Sequence, residues 1–196
     1  MLVLLDNGHG GLINGVYQTP GKRKQWNEGI IYEGEFNRAI VNGIIEELTR
    51  LQIPYINIAP EYWDVRLVTR VKRANAYAHL PCFYLSVHAN AGGGEGAEIF
   101  TYYRQTKSDA IATVFGEEFK KEFPSEKLRT DYSDGDLDKE ASFYVLRKTM
   151  MPAILTENFF MDNWREFSEI LNTPQGRKKI IDYHIKSILR VREELF

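Results

Sequence analysis

Short apolar runs alternate with longer amphipathic stretches along the whole chain. Apolar runs short enough for buried strands occupy residues 2–5, 54–58, 82–87, 97–103 and 152–156. Glycine-rich turns follow the first and third of these runs directly, as expected where a strand ends. The pattern therefore predicts a series of short strands.

The amphipathic stretches between these runs have the spacing of helices. A first helix is predicted from Glu33, because the following apolar positions fall on one stripe: Phe36, Ile40, Ile44, Leu48 and Leu51. Asp64 is expected to cap a second helix that reaches Ala78, and Ser108 a third that reaches Phe119. A final helix is predicted to start at Thr173 and Pro174 and to extend to about residue 195.

Strands that alternate with helices of crossover length predict the fold class. We expect an α/β fold with a mostly parallel, twisted sheet and helices on both faces. A length of 196 residues predicts a single domain, residues 1–196. Residues 124–141 are polar with few apolar anchors, and we interpret them as a loop.

Composition narrows the classes of partner and of metal site. A net charge of −2 argues against binding to nucleic acid or to anionic membrane, and the basic cluster 21–24 is interpreted as a solvated loop. Cys82 is the single cysteine, which excludes an internal disulfide and a thiolate metal cluster. The chain lacks a membrane-length apolar run and a signal-peptide pattern, so we expect it to be cytoplasmic as synthesised.

Polar groups follow three of the predicted strands, where ligands bind in open α/β sheets. His9, His88 and Glu157 come directly after apolar runs, and Glu33 lies at the start of the first helix. Two histidines and a carboxylate form a common ligand set for catalytic zinc, which leaves one position to water. Glu157 would then be free to act as a base toward that water.

Each of these four residues also has an ordinary structural interpretation. His9 and His88 could be turn residues whose rings bond to backbone carbonyls. Glu33 and Glu157 could be a helix N-terminal charge and a surface group. Spacing alone does not decide between these alternatives, because the four positions are far apart in the sequence.

Four sequence blocks resemble the motifs of the zinc N-acetylmuramoyl-L-alanine amidases of the amidase_3 type, a family that includes phage endolysins and cell-division amidases. Residues 5–11 resemble its Asp-x-Gly-His-Gly-Gly block, and residues 33–37 its Glu-x-x-Leu-Asn block. Residues 86–91 resemble Ser-Ile-His-Ala-Asn-Ala, and residues 152–157 resemble the block that carries the catalytic glutamate. The blocks occur in the family order, and residues 70–75 resemble a further stretch, Arg-x-x-x-Ala-Asn.

The resemblance implies a ligand set, a reaction and a substrate. It implies that His9, Glu33 and His88 bind Zn²⁺ and that Glu157 is catalytic. It also implies that the protein acts on peptidoglycan and cuts the amide bond between the N-acetylmuramoyl lactyl group and L-alanine. Two alternatives stay open: a zinc peptidase that cuts within the stem peptide, and a non-catalytic module that binds the cell wall. An endolysin that reaches the wall after release or export would suit the expected cytoplasmic synthesis.

Three positions bear on how far the resemblance extends. Phe159 stands where the family usually has a glycine, which leaves the local backbone geometry open. Glu35 competes with Glu33 as the ligand, although the four-residue spacing to Asn37 favours Glu33. Cell-division members carry a helical insertion that blocks the zinc cleft, whereas residues 124–141 here have no apolar stripe to dock such a helix. We therefore predict a permanently open site.

Overall fold

A six-stranded sheet forms the centre of the computed structural model, which describes residues 1–103, 106–133 and 135–196. In chain order the strands are β1 (Leu2–Asp6), β2 (Leu12–Ile13), β3 (Val16–Tyr17), β4 (Arg23–Trp26), β5 (Gly29–Tyr32), β6 (Tyr55–Asn57), β7 (Cys82–Asn90), β8 (Glu98–Thr101), β9 (Lys139–Glu140) and β10 (Ala153–Phe160). The sheet has the order β6-β1-β7-β10-β8-β9, and β8 runs antiparallel to β10. All its other pairs are parallel, as the sequence predicts.

Helices cover both faces of this sheet, which confirms the predicted α/β class. They are α1 (Glu33–Arg50), α2 (Leu67–Asn75), α3 (Lys107–Glu122), α4 (Tyr144–Lys148), α5 (Trp164–Glu166), a π-helical turn (Phe167–Leu171) and α6 (Pro174–Leu195). Apolar residues of α1, α3 and α6 pack with Leu5 and Phe83 on one face, and those of α2 and α4 pack with Leu4 and Tyr84 on the other. Among the described residues, no helix is both long enough and apolar enough to span a membrane.

Two of the predicted helix caps are wrong. The second helix begins at Leu67 and ends at Asn75, with no side-chain cap, because the carboxylate of Asp64 accepts a hydrogen bond from the Thr19 hydroxyl instead. The third helix is capped by Thr106 in a reciprocal capping box with Asp109. The hydroxyl of Ser108 instead accepts a hydrogen bond from the backbone N–H of Ala153.

The two long connections contain more structure than the sequence indicated. The segment after β1 folds into two hairpins, β2–β3 and β4–β5, and the second leads directly into α1. The predicted loop at 124–141 is largely irregular but contributes β9, and it is anchored by the buried Leu137. Residue 134 of this loop lies outside the described residues, and the rest of it contains no helix.

His184, in α6, lies in the core of the protein. Its ring is fully buried, with Nε2 3.1 Å from the Thr156 hydroxyl and Nδ1 2.8 Å from the carbonyl oxygen of Ile180. Burial lowers the pKa of His184 from 6.5 to about 4. The folded protein therefore keeps this imidazole neutral at pH values where an unfolded chain would protonate it.

This burial predicts a loss of stability in mild acid. Because the folded-state pKa of His184 lies below the unfolded value, the contribution of this residue to the free energy of unfolding is fully present above pH 6.5. It falls as the pH drops toward 4. The fall attributable to His184 should reach about 3 kcal/mol across this window, at roughly 1.4 kcal/mol per pH unit. Urea unfolding between pH 4.5 and 7 should show a shallower pH dependence for His184→Asn than for the wild type. The exposed His79 gives the control, since His79→Asn should keep the wild-type slope, and an unchanged slope in His184→Asn would contradict the prediction.

Candidate metal centre

Three side chains from separate elements meet at one edge of the sheet. His9 follows β1, Glu33 is the first residue of α1, and His88 lies near the C-terminal end of β7. Oε1 of Glu33 is 3.1 Å from Nε2 of His9 and 3.0 Å from Nδ1 of His88. The two imidazole rings are perpendicular, with centroids 5.1 Å apart. The structure therefore brings together the three residues proposed as ligands from the sequence.

The glycine-rich turn after β1 creates the space for this arrangement. Gly8 and His9 both have positive φ angles, of 29° and 60°. A Cβ atom on Gly8 would lie 2.3 Å from Cε1 of His88. A Cβ atom on Gly34 would lie 1.9 Å from the carbonyl oxygen of Gly10. The turn and the start of α1 thus approach each other at a distance that only glycine permits.

The charges of the three groups suit metal binding. Glu33 is buried, which by itself raises its pKa, but hydrogen bonds to His88 and His9 outweigh burial and hold the pKa of Glu33 well below its ordinary value. Burial lowers the pKa of His88 despite the carboxylate beside it. A carboxylate that stays ionised and an imidazole that stays neutral are the protonation states in which these side chains bind metals.

Neighbouring groups hold the proposed ligands in position. The Ser86 hydroxyl lies 3.1 Å from Nε2 of His88, so it could accept the ring N–H when a metal ion takes the Nδ1 lone pair. Arg70, whose guanidinium is paired with the buried Asp6, donates a hydrogen bond to the carbonyl oxygen of His9. Two imidazoles and one carboxylate, each supported by a further contact, fit the donor set of a catalytic zinc site.

Glu35 and Lys22 clarify two points that the sequence left open. Oε1 of Glu35 accepts a hydrogen bond from the backbone N–H of Leu12, whereas both imidazoles contact Glu33. Lys22 belongs to the basic cluster interpreted as a solvated loop, yet its Nζ lies 3.7 Å from Oε2 of Glu33. Its position next to the site depends on the fold of β4–β5, and nothing in the local sequence indicates it.

Glu157 lies in β10 beside the three proposed ligands. It pairs in parallel register with His88 on β7, inside the strand rather than at its end as predicted. Its Oε2 is shielded from solvent and has no hydrogen-bond partner. Burial, followed by the negative charge of Glu33, raises the pKa of Glu157 well above its ordinary value. A raised pKa favours the protonated form of a carboxylate and is typical of groups that exchange protons with their neighbours.

A β-bulge follows Glu157, at the position where Phe159 replaces a glycine. The register between β10 and β7 shifts between Glu157 and Phe160, and Phe159 has a φ angle of 66°. Its ring is fully buried in the core. Asn158, within the bulge, donates a hydrogen bond to the carbonyl oxygen of His88. The bulge thus keeps the backbone geometry of a glycine position while a phenylalanine fills the core.

A cavity of about 420 Å³ opens beside the imidazoles of His9 and His88. Its walls include Arg66, Leu67 and Val145, and no described part of residues 124–141 lines it. Trp26 does not line it; its ring stacks on Phe167 and meets Trp164 edge to face. Asn75 bridges the backbone of Lys148 and Met150. None of three tyrosines in the described part of the chain lines this cavity: Tyr102, Tyr103 and Tyr132.

The close contact at Gly8 predicts a loss of metal affinity in Gly8→Ala. The added methyl group would displace the His88 ring and add strain at positive φ. We expect a destabilisation of about 1–3 kcal/mol and a metal affinity reduced about 10- to 100-fold. Gly15 offers a matched control, because it has a φ angle of 78° and no atom within 4 Å of an added Cβ. Gly15→Ala should bind metal as the wild type does; equal losses in both variants, measured by metal titration, would attribute the effect to backbone strain alone.

Comparisons with known proteins place this geometry in context. The model of the Amidase_3 family, described as N-acetylmuramoyl-L-alanine amidase, matches residues 3–190. The N-acetylmuramoyl-L-alanine amidase CwlM of Bacillus licheniformis is 29% identical over 86% of this chain and 60% of its own length. The endolysin of Bacillus phage SPP1 is 28% identical over 97% of this chain and 65% of its own length. The chain thus spans less than two thirds of these curated relatives.

Solved structures share the fold at low sequence identity. The N-acetylmuramoyl-L-alanine amidase from Clostridium difficile 630 has a TM-score of 0.82 at 20% identity, covering 100% of this chain and 98% of that one. The amidase AmiC2 of Nostoc punctiforme has a TM-score of 0.76 at 24% identity, covering 99% and 98%. These structures establish the likeness of the fold.

Proposed function

This chain belongs to the Amidase_3 family of N-acetylmuramoyl-L-alanine amidases, and on this premise we propose that it is a zinc-dependent hydrolase of peptidoglycan. The bond cut is the amide between the lactyl group of N-acetylmuramic acid and the L-alanine of the stem peptide. The proposal rests chiefly on one observation: Glu33 contacts both His9 and His88, and the unpaired carboxylate of Glu157 lies on the adjacent strand. Residues 1–196 would form one catalytic domain.

Zinc would be held by His9, Glu33 and His88, and when bound it would supply a Lewis acid for the carbonyl oxygen and lower the pKa of water. Glu157 would take the proton from the attacking water and return it to the alanine nitrogen as the amide bond breaks. The raised pKa of Glu157 supports the second role, since a proton taken from water would be retained until the alanine nitrogen accepts it.

The surrounding residues would keep these groups in place. Ser86 would orient the His88 ring, and Arg70 would hold the turn that carries His9 through its bond to the His9 carbonyl. Asn158 would fix the backbone of His88 relative to the bulge that follows Glu157. The cavity beside the imidazoles would admit substrate without the removal of a blocking helix, so the site would be permanently open.

Mass spectrometry of purified peptidoglycan, incubated with the protein with and without a metal chelator, tests this function. Stem peptides released with an intact L-alanine amino terminus, in the untreated sample alone, are expected. Cleavage elsewhere in the peptide would favour a zinc peptidase. Bound zinc with no product would favour a non-catalytic wall-binding module. The likeness to a phage endolysin supports action on the cell wall after release or export.

A further inference from the structure

Three aspartates form a second cluster of potential metal ligands, separate from the zinc site. Asp109 lies in the first turn of α3, and Asp136 and Asp138 lie in the segment that precedes β9. One carboxylate oxygen of each lies within 4.8 Å of one oxygen of each of the others. We call these three residues the aspartate cluster.

Two oxygens of the aspartate cluster are buried without a partner. Asp138 is 2% exposed, and its Oδ1 has neither solvent contact nor a hydrogen bond. Oδ1 of Asp136 is in the same condition, although the residue as a whole is partly exposed. A buried oxygen of this kind carries the full cost of desolvation unless some group compensates it.

The second oxygens of the two buried aspartates are fixed by neighbours. The Thr101 hydroxyl donates a hydrogen bond to Oδ2 of Asp138 at 2.5 Å. The backbone N–H of Thr106 donates to Oδ2 of Asp109 in the capping box. These contacts orient both carboxylates and leave Oδ1 of Asp138 free to bind another group.

Charge compensation for the aspartate cluster is missing within the described part of the chain. No described lysine or arginine forms an ion pair with any of the three carboxylates, and Lys139 is paired with Glu98 instead. Burial, reinforced by Asp136 and Asp109, raises the pKa of Asp138 to about 8. Because this pKa lies above neutral pH, Asp138 keeps a proton in the absence of a cation, and a bound cation would take the place of that proton.

We propose that Asp109, Asp136 and Asp138 bind a calcium ion. Carboxylate oxygens and a nearby hydroxyl are the donors that a hard cation prefers, in contrast to the imidazoles of the zinc site. Calcium accepts six to eight oxygens in flexible geometry, and an adjoining cavity of about 400 Å³, lined by Asp109 and Asp136, offers room for coordinating water. The ion links the segment before β9 to the start of α3.

Calorimetric titration of the zinc-loaded protein with calcium chloride tests the proposal. The wild type should show one saturable binding event, and calcium should raise the Tm. Asp136→Asn, at the partly exposed ligand, should weaken calcium binding at least 10-fold. Asp138→Asn should lose the calcium response, and in calcium-free buffer above pH 8 it should have a higher Tm than the wild type, because the ionised Asp138 repels Asp109 and Asp136 there.

Asp131→Asn is the matched control, since this exposed aspartate lies in the same segment and outside the aspartate cluster. It should bind calcium as the wild type does. The proposal is overturned if the wild type shows no saturable calcium binding, or if Asp136→Asn binds calcium with unchanged affinity. Tighter binding of magnesium than of calcium would overturn the choice of ion. If Asp138→Asn does not fold, the wild type and Asp136→Asn still decide the outcome.

Discussion

Glu157→Gln is expected to abolish peptidoglycan hydrolysis while leaving zinc binding intact. The amide is similar in size to the carboxylate but cannot take a proton from water or return one to the alanine nitrogen. Loss of a general acid–base group lowers rates by roughly 10²- to 10⁴-fold. Release of new alanine amino termini from purified peptidoglycan measures the rate, and elemental analysis measures the bound zinc.

The control for Glu157→Gln is the same substitution at an exposed carboxylate. Glu95 makes a solvent-exposed ion pair with Lys127 at 3.6 Å, and Glu95→Gln should retain full activity. Full activity in Glu157→Gln would remove Glu157 from the mechanism. A variant that lost zinc together with activity would instead indicate a role in the metal site.

Glu33→Gln is expected to lose both the metal and the activity. The Oε1 atom of Glu33 faces both imidazoles, and the negative charge that would be lost is the one that balances the metal ion. Bound zinc should fall from one equivalent to about zero after dialysis, and hydrolysis should fall at least as far as in Glu157→Gln. Excess zinc in the assay should restore part of the activity if the fold is intact.

Glu35→Gln is the matched control for this second variant. The residue lies one position beyond Gly34 on the same helix, and an amide oxygen can still accept the Leu12 N–H. It should keep its zinc and its activity. The reverse result, with zinc lost in Glu35→Gln and retained in Glu33→Gln, would exchange the two glutamates in the proposed ligand set.

The strands and the helix that carry the site could be predicted from the sequence. Parallel strands bring residues that are distant in the sequence to one edge of the sheet. The apolar runs of β1 and β7 are buried on both faces, so periodicity and hydrophobicity identify them without knowledge of their partners. The helix that begins at Glu33 was equally clear from its apolar stripe. The convergence of His9, Glu33 and His88 followed from the family motifs, since no local spacing connects them.

The features that sequence could not predict depend on contacts between distant segments. Aspartate is a residue type that often caps helices, but the carboxylate of Asp64 instead accepts hydrogen bonds from the distant Thr19 and from Arg70. The aspartate cluster joins the start of α3 to the end of the segment that follows α3. These positions are too far apart in the sequence for a local pattern to predict their contact. Phe159 marked an unusual position by its departure from the family, yet its positive φ angle and buried ring are visible only in the fold.

The strand order has a consequence for how the protein is synthesised. β10 lies between β7 and β8 in the sheet, although it follows both in the chain. A nascent chain in which residues 153–160 have not yet emerged from the ribosome leaves an edge of β7 unpaired and lacks Glu157. Pairing of this late strand requires contacts between residues far apart in the sequence, which makes it a slow step of folding. A chain that has not yet paired β10 with β7 therefore lacks the carboxylate that we propose as the general base.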